Sequence, residues 1–325
     1  MRRVVISLAL LLSLGGVYVA HAQLGSTDPL SITIDPDYPR PYQIVTVTPG
    51  SDLIDLSAST VTFSVNGTVV QKSTGAESAS VAVGGPGTVT TIKVTAVNEG
   101  QTYTASISIH PADVALILEP LSTNHPFYDG GSLLGSQGRL RLVAIPDFRT
   151  AKGTPIPASS LVYTWKNGDQ VLQSSSGIGK SVLVAAAPVR YRDTVITVTV
   201  SSQDSSVVGQ AQTLISPIDP VTRIYENDPL LGVRYETALP KSVTLAGNEA
   251  TYRAIPYYFS TTPNISWEVN GTPSQTGQDI TVRPSGNGKG TALLNASVSS
   301  QNADQSSDAP LSVTFGTASL GIFGL

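Results

Sequence analysis

The fold of this chain is indicated by three short stretches of sequence: Val61-Thr-Phe-Ser-Val-Asn-Gly67, Val162-Tyr-Thr-Trp-Lys-Asn-Gly168 and Ile265-Ser-Trp-Glu-Val-Asn-Gly271. Their large aromatic residues, Phe63, Trp165 and Trp267, follow one another at intervals of 102 residues. A period near 100 residues is too long for a solenoid repeat and is about right for a β-sandwich. The sequence therefore predicts tandem domains of one kind.

Each stretch has the pattern of a strand that enters a tight hairpin. In the third, Ile265, Trp267 and Val269 fall on one face of the strand and the intervening polar residues fall on the other. Because a tryptophan buries roughly 150–250 Å², we predict that Phe63, Trp165 and Trp267 fill the domain cores. The Asn-Gly pair that ends each stretch can supply the positive φ angles of a two-residue hairpin.

Alternation with a period of two dominates the rest of the chain, as at Ile196, Val198 and Val200, and no stretch after residue 22 shows a sustained helical period. The predicted fold class is all-β, with three tandem β-sandwich domains after a cleaved signal peptide. The predicted segments are 1–22, 23–111, 112–216, 217–316 and an apolar tail at 317–325. The joints are short and contain proline, which favours a semi-rigid rod.

The first 22 residues have the pattern of a secretory signal peptide. Arg2 and Arg3 precede an apolar run at 4–20, and Ala20-His21-Ala22 is a cleavage site of the A-x-A type. An uncleaved membrane anchor is the alternative, although the run is short for a spanning helix. We therefore expect an exported protein whose mature chain, starting at Gln23, has no membrane span.

Composition excludes several classes of function. Without the two arginines of the signal peptide, 17 Lys and Arg face 23 Asp and Glu, a net charge of −6, and no basic cluster predicts a nucleic-acid partner. The chain has no cysteine, so disulfides, thiol catalysis and cysteine-rich zinc sites are excluded. Each domain of about 100 residues must then be held together by burial of apolar surface alone.

The repeated aromatic strand, the Asn-Gly turn after it and a later pair of alternating strands resemble the bacterial immunoglobulin-like domains of exported surface proteins. The resemblance covers nearly the whole mature chain. It implies tandem immunoglobulin-like sandwiches at the cell envelope or surface, without naming a partner. The cysteine pair of antibody-type domains is missing, which leaves the subfamily open.

The best candidate for ligand binding is Tyr257-Tyr258-Phe259. Consecutive aromatic residues on a strand point to both faces, so at least one should reach solvent, where a ring could stack on a sugar. The alternative is a strand half in the core that also contacts a neighbouring domain. The two interpretations differ in whether Tyr257, Tyr258 and Phe259 present their rings to solvent.

The sequence offers few residues that could form a catalytic or metal site. The mature chain keeps only His110 and His125, and no nucleophile elbow, zinc-protease motif or phosphate loop is present. We predict no catalytic residue, no metal site and no cofactor. Carboxylates near a joint, such as Asp219 and Asp228, could bind Ca²⁺, but turn chemistry explains them as well.

The apolar tail at 317–325 carries four large side chains, Leu320, Ile322, Phe323 and Leu325. Apolar segments of this kind usually mark an interaction. The tail could fold back on the third domain, be disordered, or add to a partner's sheet by β-strand addition. In the last case these four residues would bind the partner.

Taken together, the sequence predicts an exported, non-enzymatic structural, adhesion or envelope-assembly protein that acts as a rod of immunoglobulin-like domains. Its partner would be a protein or glycan of the cell envelope. The alternative is a carbohydrate-binding accessory protein with an exposed aromatic platform. A third option is an enzyme with paired carboxylates at a domain joint.

Overall fold

The computed structural model describes residues 28–124, 129–245, 247–285, 289–300 and 304–316. In these ranges the chain forms β-strands and three single-turn 3-10 helices, Leu56–Ala58, Ala158–Ser160 and Gln173–Ser175. The predicted all-β class is confirmed. The predicted signal peptide, His125 and the tail with Leu320, Ile322, Phe323 and Leu325 lie outside the described residues.

The chain divides into two compact units. Of the described residues, the first unit contains those up to Ile34 together with Val47–Ala79 and Thr91–Ile107, and the second contains Asp35–Thr46, Ser80–Thr90 and those from Ser108 onward. The boundaries at 111 and 216 stay a prediction. The segments 23–111, 112–216 and 217–316 are called the first, second and third repeats.

The first repeat carries seven described strands, which form a three-stranded sheet in the order β1-β2-β5 and a four-stranded sheet in the order β4-β3-β6-β7. The strands are β1 Ser31–Asp35, β2 Ile44–Gly50, β3 Thr60–Val65, β4 Thr68–Thr74, β5 Ala79–Ala82, β6 Thr90–Asn98 and β7 Gln101–Ile109. Phe63 at the centre of β3 is fully buried.

The second repeat is a β-sandwich. Its strands are β8 Asp113–Leu121, β9 Arg139–Asp147, β10 Val162–Asn167, β11 Gln170–Val171, β12 Gly177–Ile178, β13 Val182–Ala186, β14 Thr194–Ser201 and β15 Val208–Ile215. They form one sheet in the order β13-β9-β8 and another in the order β11-β10-β14-β15, with β12 also paired to β10. One core cluster joins the two sheets, since it includes Val114 and Leu142 from the first and Trp165 and Val198 from the second.

The third repeat is a sandwich of the same kind. Its strands are β16 Val221–Asp228, β17 Gly232–Val233, β18 Ser242–Leu245, β19 Ala250–Tyr257, β20 Asn264–Val269, β21 Thr272–Thr276, β22 Asp279–Val282, β23 Gly290–Ser300 and β24 Gln305–Phe315. The sheets have the orders β17-β16-β19-β22 and β18-β24-β23-β20-β21, and β18 pairs with β24 in parallel. The core contains Tyr252 and Ala254 from the first sheet and Trp267 and Leu294 from the second.

The two tryptophans are buried in the same way. Trp165 and Trp267 are 0% and 1% exposed. Burial of an indole requires a partner for its N–H, and each ring has one on the backbone. Trp165 Nε1 donates to the carbonyl oxygen of Lys180 at 2.9 Å, and Trp267 Nε1 donates to that of Gly277 at 3.0 Å.

The three Asn-Gly hairpins are not identical. In the first, Asn66 and Gly67 have φ angles of 49° and 83°, and in the third Asn270 and Gly271 have 54° and 76°, as a two-residue type I′ turn requires. The second hairpin differs, because Asn167 is still paired, with Gln170 across the hairpin, and the loop is Gly168-Asp169. Only Gly168 has a positive φ there, 55°, so the prediction for Asn167 is wrong by one residue.

Candidate functional site

The predicted aromatic residues lead to a cluster on the outer face of the third repeat's first sheet. Alternation along β19 sends Tyr252 and Ala254 into the sandwich core, so Ile255 and Tyr257 point the other way. On the neighbouring strand β16, Tyr225 occupies the same outer face, with Arg253 opposite it in register. Tyr225, Ile255 and Tyr257 are nevertheless only 5–6% exposed. At these three positions the sheet is therefore buried on its outer face as well as on its core face.

The outer face is covered by the connection that follows β16. Strand β17 pairs with the end of β16, and two more backbone bonds hold the connection along that strand: Arg234 N–H to the Glu226 carbonyl at 2.9 Å and Leu239 N–H to the Ile224 carbonyl at 2.8 Å. The connection places Val233, Tyr235 and Ala238 against the outer cluster. It thereby forms a small second core outside the sandwich.

Between the connection and the sheet lies a groove of about 380 Å³, here called the tyrosine groove. It is lined by Val221, Arg223, Tyr225, Tyr235, Ala238, Tyr257 and Tyr258. The hydroxyl groups of Tyr225 and Tyr257 lie 2.6 Å apart in a hydrogen bond. The ring of Tyr235 is tilted against that of Tyr225 at 5.7 Å between centroids, and Tyr258 against Tyr257 at 5.9 Å. The groove thus combines ring faces with hydroxyl groups and one exposed guanidinium.

An ion pair lies beside the aromatic cluster. Arg253 Nε donates to Asp279 Oδ1 at 2.7 Å, a second guanidinium nitrogen reaches Oδ2, and Asn227 Nδ2 donates to Oδ1 at 3.2 Å. The hydrogen bond from Arg253 lowers the pKa of Asp279, and the same bond raises the pKa of Arg253. Tyr235 is also hydrogen-bonded to Arg253. This pair fixes strand β22 to strand β19 beside the connection that covers the groove.

The three predicted aromatic residues do not form one platform. Tyr257 and Tyr258 line the tyrosine groove, whereas Phe259 is fully buried in the sandwich core. The prediction that Phe259 binds a ligand on the surface is therefore wrong. The cause is the backbone at Tyr258, where a φ of 66° ends the strand and turns the next side chain inward. The two tyrosines stay candidates for ligand binding.

Sequence reasoning missed the two other tyrosines of the groove. Tyr225 could have been found, because alternation along Val221–Asp228 places it on one face with Arg223. Tyr235 carries no such signal, since it lies outside any strand. Only the long-range packing of the connection brings it to Tyr225.

The joint between the second and third repeats is built from side chains as well as backbone. Gln305, the first residue of β24, is 2% exposed. Its Nε2 donates to the carbonyl oxygens of Ser136 at 2.9 Å and Tyr258 at 3.4 Å, and its Oε1 accepts from the Ser260 N–H at 2.8 Å. Ser260 Oγ in turn accepts from the backbone N–H of Arg139 at 2.7 Å. One buried amide therefore connects the two repeats.

Backbone pairing continues across the same joint. The N–H of Thr123 donates to the Phe259 carbonyl at 2.9 Å, and the N–H of Tyr258 donates to the Thr123 carbonyl at 3.0 Å. Gly135 and Ile218 also form a parallel bridge. A Cβ on Gly135 would lie 2.2 Å from the carbonyl oxygen of Tyr258, so only glycine fits there. The inter-domain contact expected as the alternative for Tyr258 and Phe259 is thus made by their backbone.

The carboxylates that could have bound Ca²⁺ have other partners. Asp219 is paired with Arg190, and Asp228 accepts from the backbone N–H groups of Leu230 and Leu231 at 2.7 and 3.0 Å, which is turn chemistry. In the ranges that the structure describes, no group of three His, Asp or Glu side chains is placed to hold a metal ion. None of the helices in those ranges is long and apolar enough to cross a membrane.

No protein-family model matches this chain, and no curated protein matches it. Solved structures do match. The three N-terminal domains of the bacteriophage RB49 highly immunogenic outer capsid protein (Hoc) are 14% identical, with 88% of this chain and 97% of that chain covered and a TM-score of 0.27. The fibronectin(III)-like modules of Clostridium thermocellum CbhA are 11% identical, with 57% and 94% covered and a TM-score of 0.27.

A third similar structure contains the Sidekick-1 immunoglobulin domains 1–5, at 10% identity and a TM-score of 0.30, with 89% of this chain and 60% of that chain covered. At identities and TM-scores this low, the likenesses say nothing about function. The fold is therefore defined by the strand order and the cores of the repeats themselves.

Proposed function

We propose that this chain is an exported, non-enzymatic structural or adhesion protein of the cell envelope, built of tandem immunoglobulin-like domains. The observation that carries the proposal is the joint between the second and third repeats. A buried amide, two backbone hydrogen bonds and a close glycine contact hold the repeats together there. A protein that holds its partners at a fixed distance needs joints of this kind, because a flexible joint would let the distance between its two ends vary.

The proposed site of action rests on sequence features outside the described residues. The pattern of the first 22 residues supports export, and the apolar tail at 317–325 is the segment that we propose to contact an envelope partner. A tail of this composition could add to a partner's sheet, where backbone bonds supply affinity and alternate side chains supply specificity. The function would then combine a stiff spacer with a terminal contact.

Protease treatment of intact cells tests the export half of this proposal. A C-terminally tagged chain should be degraded on whole or osmotically opened cells, whereas a variant without residues 2–22 should be protected in the cytoplasm. Protection of both forms would contradict export. In the same cells, deletion of residues 317–325 should release the protein into the medium, and unchanged cell association would contradict a role for the tail.

The tyrosine groove favours a second candidate, a carbohydrate-binding function. Sugar rings present an apolar face that stacks on aromatic rings and hydroxyl groups that need polar partners. The groove offers both, in the partly exposed ring of Tyr258, which packs against the buried ring of Tyr257, and in the guanidinium of Arg223. Its volume of about 380 Å³ lies within the range of small-ligand sites, roughly 300–1,000 Å³.

Glycan-array binding of the mature chain separates the two candidates. If the groove binds sugars, Tyr258→Ala should abolish the array signal, because Tyr258 is the partly exposed ring of the pair. Tyr191→Ala is the matched control, since Tyr191 is 82% exposed and lies in the second repeat. No array signal from the unmodified chain, or an equal loss in both variants, would contradict a sugar site in the groove.

A further inference from the structure

The sheet β13-β9-β8 of the second repeat exposes an apolar outer face. In register, Ile117 of β8 lies opposite Val143 of β9, which lies opposite Val182 of β13. The whole face, here called the apolar face, consists of Ala115, Ile117, Val143, Ile145, Val182 and Val184. The exposed fractions of Ile117, Ile145 and Val184 are 51%, 50% and 45%. A contiguous apolar patch of this kind usually marks an interaction.

The other repeats show that the fold does not require apolar residues at this place. The corresponding sheet of the first repeat, β1-β2-β5, exposes mainly hydroxyl-bearing residues, among them Ser31, Thr33, Thr46, Thr48 and Ser80. The corresponding sheet of the third repeat has an apolar outer face, but its own connection through Tyr235 covers it. The second repeat combines an apolar face with exposure to solvent, which the packing of its own sandwich does not explain.

The rim of the apolar face indicates what covers it. Three ion pairs surround the patch: Arg141 with Glu119 at 2.5 Å, Arg149 with Asp147 at 3.1 Å, and Arg40 Nε with Asp113 at 3.3 Å. The Arg40–Asp113 pair does not have the geometry of a hydrogen bond. With Arg139 at the end of β9, the rim carries both signs of charge: the arginines Arg40, Arg139, Arg141 and Arg149 and the carboxylates Asp113, Glu119 and Asp147. It is not acidic, although the whole chain is. A strongly basic or acidic partner would gain little from it, whereas a second copy would meet no repulsion.

The charges at the two ends of β9 are also self-complementary, whereas Arg141, nearer the middle, is paired with Glu119 of its own chain. Arg139 and Asp147 lie at the two ends of the strand, and Val143 lies midway between them. A twofold axis between two such faces, running across the strands at Val143, reverses the strand direction and sets Arg139 of each copy over Asp147 of the other. Sheets stack face to face at about 10 Å, and an isologous contact of this kind closes as a dimer.

We propose that the apolar face of the second repeat binds the same face of a second copy of this chain, so that the protein is a dimer with two sandwiches packed sheet to sheet. The proposal is independent of the partner-binding role given to the tail. It concerns an association of the chain with itself, driven by burial of β-branched side chains and oriented by Arg139 and Asp147.

Sedimentation equilibrium of the mature chain, residues 23–325, tests the proposal. The unmodified chain should be dimeric at micromolar concentration, and Ile145→Lys should raise the dimer dissociation constant by roughly 100-fold or more, since it buries two uncompensated charges. Thr46→Lys is the matched control, because Thr46 is an exposed residue of β2, the corresponding strand of the first repeat. Circular dichroism should show both variants folded.

A charge exchange tests the orientation. Arg139→Glu and Asp147→Arg should each weaken the dimer, and the double variant should recover affinity, because the exchanged charges meet across the twofold axis. A chain that remains monomeric at 100 µM (a concentration set by the experiment), or a dimer that Ile145→Lys leaves intact, would overturn the proposal. So would a monomer that dimerises only when residues 317–325 are deleted, because the tail would then be the cover.

Discussion

Gln305 donates a hydrogen bond from its side-chain Nε2 to the carbonyl oxygen of Ser136, 2.9 Å away and 169 residues earlier in the chain. The side chain is 2% exposed, and its other end accepts from the Ser260 N–H. A buried amide costs little free energy when both its N–H and its carbonyl group are hydrogen-bonded, but it destabilises the fold when one of them has no partner. The contact therefore holds the second and third repeats in one arrangement.

Loss of this amide should loosen the joint. Gln305→Ala leaves the Ser136 carbonyl and the Ser260 N–H without their partner, and we expect a loss of about 1–3 kcal/mol in the free energy of unfolding. Protease cleavage near residues 216–220 should become faster. Gln210→Ala is the control, because Gln210 Nε2 makes an exposed bond to Thr199 within one sheet. Equal stability and equal cleavage of the two variants would contradict the role given to Gln305.

The close approach at Gly135 gives a second prediction for the joint. Gly135→Ala puts a methyl group where the Tyr258 carbonyl oxygen lies, so the backbone must shift, at a cost of about 1–3 kcal/mol. Gly131→Ala, at a glycine with no atom within 4 Å of its added Cβ, should change stability little. Thermal unfolding of the two variants measures the difference. A Gly135→Ala protein as stable as the Gly131→Ala protein would contradict the prediction, because the joint would then accommodate the methyl group without cost.

The buried indole of the third repeat should carry a large part of that repeat's stability. Trp267→Ala is expected to cost roughly 3–5 kcal/mol, through lost burial and the cavity left behind, and to lower the temperature of the unfolding transition. Leu293→Ala, at a 60% exposed position of β23, is the control in the same repeat. A melting curve unchanged by Trp267→Ala would refute the assignment of Trp267 to the core.

The Arg253–Asp279 pair predicts a pH dependence beside the tyrosine groove. Folding lowers the pKa of Asp279 below 3.8, so its stabilisation is complete above that pH and is lost as the pH falls through the folded value. Asp279→Asn should then cost on the order of 1 kcal/mol at pH 7, a modest figure because water reaches the pair, and the difference should vanish at low pH.

Urea unfolding of wild type and Asp279→Asn between pH 2 and 7 (the range of the titration) measures this difference. Arg253→Gln serves as the partner variant, because without the guanidinium the pKa of Asp279 should return toward 3.8 and the pH dependence should flatten. A difference between wild type and Asp279→Asn that is constant with pH would contradict the proposed pairing.

The local parts of this structure could be predicted from the sequence because short-range rules govern them. Alternation with a period of two shows which residues share a strand face, and the Asn-Gly pairs mark where strands turn. On that basis Phe63, Trp165 and Trp267 could be recognised as large buried rings. The turn predicted at Asn167-Gly168 is one residue too early, because Asn167 still pairs with Gln170 and the two-residue loop is Gly168-Asp169.

Only the tertiary structure decided what lies against the second face of each sheet. The strands of all three repeats show the same alternation, whether their outer face is rich in hydroxyl groups, as at Thr46, exposed and apolar, as at Val143, or covered, as at Tyr257. Nothing in the local sequence distinguishes a covered face from an open one. Phe259 points inward because the backbone at Tyr258 leaves the strand. Gln305 can be buried because the Ser136 carbonyl, 169 positions away, accepts a hydrogen bond from its amide. Such contacts depend on how distant segments meet, which periodicity along one strand does not encode.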